Sequence, residues 1–227
     1  MAIHIWQPNT YPYIYTMFLR GTPINTLLLA APEWLIRADR KLFALINQQL
    51  SHPFLDAIFP WWRESITWTP LYLFLLLFVI ANGKKSSLPW IIMAVITILL
   101  SDQISSSIIK PLFARLRPCN EPELAGSVRL LLDGCGAGYS FTSSHATNHF
   151  AIAVFLMITL QKWLKGYGWI LLLWAGSVAY GQVYVGVHYP LDIVGGALLG
   201  SGIGFCTARL YLQRLGGLPF LNSNPND

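Results

Sequence analysis

The chain has 227 residues, 54% of them hydrophobic and 11% charged, with a formal net charge of +5 and a mean hydropathy of +0.50. A soluble domain carries about 25% charged residues, so this composition excludes an ordinary soluble protein and indicates a single helical domain integral to a membrane. The modest positive balance is an orientation signal rather than a nucleic-acid footprint.

Residues 1–22 are aromatic and broken by proline, and lack the basic start, apolar block and small-residue cleavage site of a signal peptide. Residues 23–50 read as an amphipathic helix. Leu35, Ile36, Leu42, Phe43, Leu45 and Ile46 alternate there with Arg37, Asp39, Arg40 and Lys41. The run 27–31 is too short to span, and the pattern predicts an interfacial helix with its charges toward water. A second short helix, 53–62, ends in Trp61-Trp62, a pair suited to the headgroup level. Five apolar spans follow, at 66–81, 88 to about 109, 145–161, 169 to about 187, and 191–212. Ser101, Asp102, Ser105, Ser106 and Ser107 in the second span must face protein or water rather than lipid. Gly195, Gly196, Gly200, Gly202 and Gly204 in the fifth predict close helix packing. The expected fold is an all-α membrane bundle: an N-terminal extension over 1–62, a transmembrane domain over 63–215 and a polar tail over 216–227.

Parity sorts the connections onto two faces. Lys84, Lys85, Lys162, Lys165, Arg209 and Arg214 lie on one face, with no acid in the two short loops, and the positive-inside rule makes that face cytoplasmic. The other face carries the connection 110–144 and the stretch 181–192. Its cations are accompanied by Glu121, Glu123, Asp133 and Asp192, which places it outside. Of the three cysteines, Cys206 reads as a packing residue. Cys119 and Cys135 share the outer connection and are a disulfide candidate for an oxidising compartment.

The unusual polar residues collect on that outer face in three sets. In the first, Lys110, Arg115 and Arg117 end a span with no carboxylate among them. A headgroup contact accounts for one such cation; three together fit a phosphate clamp, with lysine a point charge and arginine a bidentate fork. The second set, Thr142-Ser143-Ser144-His145, places hydroxyls and backbone N–H groups ahead of a helix, which is an anion site, with His145 beside it as a proton donor. His149 lies one turn further. As an i, i+4 pair the two histidines would suit a metal, but no third ligand is evident and the cations oppose one; His149 reads as a hydrogen-bonded packing residue, and no metal is assigned. In the third set, His188 and Asp192 are one helical turn apart, the spacing of a nucleophile and its orienting carboxylate.

Together the three sets resemble the signature of the type 2 phosphatidic acid phosphatase superfamily: K-x6-RP, then PSGH, then SR-x5-H-x3-D. Lys110, Arg117 and Pro118 fit the first part; Ser143 and His145 fit the second, with Thr142 for proline and Ser144 for glycine; His188 and Asp192 fit the third. The resemblance covers about residues 60–212 and is strongest to bacterial membrane members that dephosphorylate lipid phosphates and undecaprenyl diphosphate; soluble vanadium haloperoxidases share the signature but not these spans. It implies a bacterial plasma-membrane enzyme acting at the outer face, without a cofactor, on a lipid phosphate such as undecaprenyl diphosphate, phosphatidic acid or phosphatidylglycerophosphate. His188 would form a phosphohistidine, oriented by Asp192. His145 would protonate the leaving oxygen, and Lys110, Arg117, Ser143 and the Ser144 N–H would hold the phosphoryl oxygens. The third part begins Gly181-Gln182 where the signature has Ser-Arg. Loss of that charged contact costs about 2–4 kcal/mol, or roughly 30- to 1000-fold in rate, unless Arg115 reaches the pocket instead. A phosphotransferase using the same intermediate and a non-catalytic lipid-phosphate binder are the competing readings.

Overall fold

The structure, a computed structural model, describes residues 32–83 and 87–218. Residues 1–31, Lys84, Lys85 and most of the tail lie outside the described residues, and so does the early part of the amphipathic segment. Helix α1, Glu33–Ala44, continues as a π-helical stretch, Leu45–Gln49. Helix α2, Pro53–Trp62, begins with proline at its first position, where a missing N–H costs nothing. Helices α3 (Thr69–Gly83) and α4 (Ser87–Gln103) follow. A π-helical stretch, Ile104–Ile109, carries α4 into the short α5, Lys110–Phe113. After a long connection come α6 (Ser144–Thr159), the short α7 (Gln161–Leu164), α8 (Trp169–Tyr184) and α9 (Pro190–Leu215). No strand occurs among the described residues.

Three segments, Ser65–Gly83, Ser87–Leu124 and Pro190–Leu215, are long and apolar enough to cross a membrane. Their outward sides are apolar: Phe74, Leu77, Ile92, Leu99, Leu198 and Phe205 are all exposed. Such a surface is stable only against lipid or another apolar partner. Helix α6 is the axis of the bundle, buried along most of its length. It packs backbone to backbone on α9. A Cβ on Gly200 would lie 2.1 Å from the Thr147 carbonyl oxygen, and one on Gly204 would lie 2.2 Å from that of Ala151. The expected glycine contact is thus made by Gly196, Gly200 and Gly204, whereas Gly202 faces open space.

Ser101 and Asp102 of α4 and Ser105 of its π-helical extension turn toward protein as expected, whereas Ser107 is exposed and donates to Gln103 Oε1 at 3.1 Å. Ser101 donates to Asn148 Oδ1 at 2.7 Å, and Asn148 donates to Asp102 at 3.1 Å. Ser105 is buried within 3.1 Å of both Thr142 Oγ1 and Ser144 Oγ. One expectation for α1 fails. Asp39 does not face water with Arg37 and Lys41; it is buried, accepting from the Arg115 guanidinium and from the Leu191 N–H at 2.8 Å. A carboxylate with a guanidinium in reach is better held there than left as an isolated charge, and nothing local in the sequence signals a partner so far along the chain.

Candidate active site

Local structure delivers each wall of the site. The π-helical turn ahead of α5 sets Lys110 at the cavity, and Ala114 then ends the helix in left-handed backbone at φ 45°. At α6, Ser143 is the N-cap, its Oγ accepting the Ala146 N–H at 3.4 Å. The positive end of the helix is presented where Ser144 and His145 line the cavity. Beyond α8 the chain reverses at Gly186, with φ 92° and a Cβ position 2.6 Å from the Arg129 carbonyl oxygen, so only glycine fits. The Gln182 carbonyl accepts the backbone N–H groups of Val187 and His188 at 3.2 and 3.3 Å, which fixes His188 beneath it.

These elements enclose a cavity of about 370 Å³, walled by Arg63, Lys110, Arg117, Ser144, His145, Gln182 and His188 and by part of the loop 132–137. Three cations line it and no carboxylate does. The Lys110 ammonium has no hydrogen-bond or ion-pair partner among the described residues. Arg117 is braced from behind by the carbonyls of Ala137, Gly138 and Val187 at 3.2–3.3 Å. The Cys119–Cys135 disulfide, with Cα atoms 5.7 Å apart, fastens that loop to the segment just past Arg117.

The tautomer of His188 follows from its neighbours. Arg117 Nη1 lies 3.1 Å from His188 Nε2. A guanidinium can only donate, so Nε2 carries the lone pair and Nδ1 the proton. Nδ1 faces Asp192 Oδ2 at 3.4 Å and Ser140 Oγ at 3.3 Å. Burial pulls the imidazole down to a pKa of about 4, against the opposing hydrogen bond and charge of Asp192. His188 is therefore a neutral imidazole at pH 7, a lining residue of the cavity with Nε2 unprotonated beside Arg117. Asp192 is buried and held on both oxygens. Oδ1 accepts from Arg115 at 2.8 Å; Oδ2 accepts from the Tyr189 N–H at 2.8 Å and from the Ser140 hydroxyl.

Lys110, Arg117, Ser144, His145, Gln182 and His188 meet at the cavity, with Asp192 behind His188. Two residues expected to hold phosphate do not reach the wall. Ser143 is fully buried as the helix cap, and its N–H donates to the Asp192 carbonyl at 3.1 Å, tying α6 to α9. Arg115 does not stand in for the missing arginine. It is buried between Asp39 and Asp192, with its guanidinium 4.0 Å from the centre of the Tyr189 ring. His149 is a packing residue: its Nδ1 donates to the His145 carbonyl at 2.8 Å, and Nε2 is left to the Tyr72 hydroxyl at 3.4 Å. Sequence reasoning passed over Ser140 and Arg63. Ser140 leaves no local signal. Arg63 had one, a cation directly after the Trp61-Trp62 pair on the face that carries the other cations.

A model of the PAP2 superfamily matches residues 90–215, more than half of the chain. A lipid A 4'-phosphatase of Porphyromonas gingivalis is 32% identical over 181 residues, covering 79% of this chain and 75% of that protein. An undecaprenyl-diphosphatase of Sulfolobus acidocaldarius is 36% identical over 149 residues, 65% of each chain. The crystal structure of Aquifex aeolicus LpxE superposes with a TM-score of 0.54 at 29% identity, over 74% of this chain and 93% of that one. Matched in sequence across the segment that supplies every wall of the cavity but Arg63, and in fold across three quarters of its length, the chain belongs to the PAP2 superfamily.

Proposed function

We propose that the protein is a membrane lipid phosphatase that removes the terminal phosphate of a lipid phosphate or lipid diphosphate through a phosphohistidine. The observation that carries this reading is the placement of His145 and His188 on walls of one cation-lined cavity, with His188 Nε2 kept unprotonated. The phosphoryl group sits among Lys110, Arg117 and the N-terminus of α6. His188 Nε2 attacks phosphorus, the bond to the lipid oxygen breaks, and His145 gives that oxygen a proton. The entering phosphate dianion is what raises the proton affinity of His145. Asp192 holds the Nδ1–H as positive charge builds on the ring. Water, losing its proton to His145, then attacks phosphorus; the P–N bond breaks and phosphate leaves. Fixed cations supply the electrostatic stabilisation of the transferring group.

The proposed topology has five spans: α3, α4 with its π-helical extension, α6, α8 and α9. Helices α6 and α8 have 16 residues each, and their flanking turns complete the crossing. Helices α1 and α2 form an interfacial extension, 1–62, on the transmembrane unit 63–215. The cavity opens on the outer face of the plasma membrane, and the loop carrying Lys162 and Lys165 is cytoplasmic, as the positive-inside rule requires. The similarity to a lipid A 4'-phosphatase supports lipid A as the first substrate to test, and the similarity to an undecaprenyl-diphosphatase supports undecaprenyl diphosphate as the second.

The test is phosphate release by detergent-purified protein from lipid A, undecaprenyl diphosphate, phosphatidic acid and phosphatidylglycerophosphate, with and without chelator. Release that survives chelator and is lost in His188→Ala is the expected result. Release unchanged in His188→Ala would sink the mechanism, and lipid phosphate binding without release would identify a binder.

A further inference from the structure

The cavity has one cation that no signature residue supplies. Arg63 follows α2, just ahead of the first apolar segment, and reaches the wall opposite a residue 119 positions away. It is only 8% exposed. Its Nε donates to Gln182 Oε1 at 3.1 Å, and Gln182 Nε2 donates back to the Arg63 carbonyl at 3.5 Å. Nη1 pairs with Glu64, whose side chain is 42% exposed. Nη2 has no hydrogen-bond partner among the described residues. Arg63 shares the cavity wall with Arg117 and His145. The neighbouring position completes the picture. A Cβ on Gly181 would lie 3.0 Å from Phe59 Cδ1 and 3.3 Å from Arg63 Cβ. Any side chain there would crowd the arginine stem. Both places where the third signature stretch departs from Ser-Arg, Gly181 and Gln182, therefore face Arg63: one leaves it room and the other holds its Nε.

We propose that Arg63 is the phosphate ligand that replaces the guanidinium absent at position 182, gripping a phosphoryl oxygen through its outer edge while Gln182 anchors its inner edge. This rests on the phosphatase reading. The neutral amide of Gln182 adds no negative charge against Arg63 from inside the cavity, and the carboxylate that Nη1 does pair with, Glu64, is 42% exposed, so Nη2 is the nitrogen left for the ligand. The two residues act as one split ligand, with the charge on the N-terminal side of the bundle and its holder on α8.

The test is an exchange. Arg63→Gln, Gln182→Arg and the double variant Arg63→Gln/Gln182→Arg are purified in detergent. Binding of inorganic phosphate and of orthovanadate is measured by calorimetry, beside kcat/KM for lipid phosphate and thermal unfolding. Expected is at least a tenfold loss of anion affinity and a loss of about 10²-fold in kcat/KM for Arg63→Gln. The double variant, which keeps a guanidinium–amide pair with the partners exchanged, should recover most of both. Wild-type anion affinity in Arg63→Gln overturns the proposal, as does a folded double variant that recovers nothing. Should Arg63→Gln fail to fold, the double variant decides alone by binding the anion or not. Wild-type protein that binds phosphate through Arg63 yet releases none from any lipid would overturn the phosphatase reading and leave this one standing; normal turnover with an indifferent Arg63 would do the reverse.

Discussion

At His188, burial decides the charge state and the neighbours decide which nitrogen is free. The depressed pKa has two consequences of defined sign. The unfolded chain binds a proton at this histidine near pH 6.5, the folded one only near pH 4. Between those values the unfolded state holds more protons, so the contribution of His188 to stability is complete above about pH 6.5. It declines as the pH falls and is gone below about pH 4. For activity, the acid limb of kcat/KM should fall well below the ordinary histidine value of about 6.5. A pH–rate profile with its acid limb at 6.5 would contradict the neutral nucleophile. At this scale Lys110, Arg117, His145 and His188 are legible in the sequence because each belongs to a short pattern whose spacing has a chemical reason. Ser140 and the pairing of Arg63 with Gln182 are not: the partners lie 52 and 119 residues apart, and no local period connects them.

The helices were the most legible level. Residues 53–62 form α2 over the expected range, and Gly196, Gly200 and Gly204 of α9 are buried against α6 as their size predicts. Which glycines matter is a question of helix rotation, which one helix alone does not reveal. Gly200 has the Thr147 carbonyl above it, while Gly202, half a turn away, has nothing within 4 Å. Gly200→Ala should therefore destabilise the protein by about 1–3 kcal/mol through overpacking. Gly202→Ala should be neutral or slightly stabilising through helix propensity. Thermal unfolding of both variants in one detergent is the check; equal melting temperatures would mean that the two helices are not in backbone contact. The orientation of α1 shows the opposite limit. Its amphipathic pattern was clear, but the pattern assigned Asp39 to water, because the ion pair that buries it is made with Arg115, 76 residues on.

For the molecule as a whole, Arg115 is one tie between the N-terminal helices and the site, beside the Asp39–Leu191, Asn47–Tyr184 and Arg63–Gln182 hydrogen bonds. It joins Asp39 of α1 to Asp192 behind His188, all three buried. Arg115→Leu leaves two buried carboxylates without their cation and should cost about 3–5 kcal/mol. Because the tie holds α1, limited proteolysis within the exposed stretch 50–52 should accelerate in the same variant; an unchanged cleavage rate would show that α1 is held by other contacts. The proposed orientation is tested at the same level: Lys165→Cys in intact cells should resist a membrane-impermeant thiol reagent, and labelling from outside would invert the topology. The backbone contact between α6 and α9 has one more consequence. His145 sits in the first turn of α6 and His188 two residues ahead of α9, so the proposed proton donor and nucleophile are carried by one closely packed helix pair, with Ser143 and Asp192 bonded across its end. Their separation acts as a fixed gauge set by main chain, not by adjustable side chains. Adaptation to a different headgroup must then come from the wall facing that gauge, made of Arg63 after α2 and the disulfide-fastened loop, and grafting that wall alone from a relative should carry substrate preference with it.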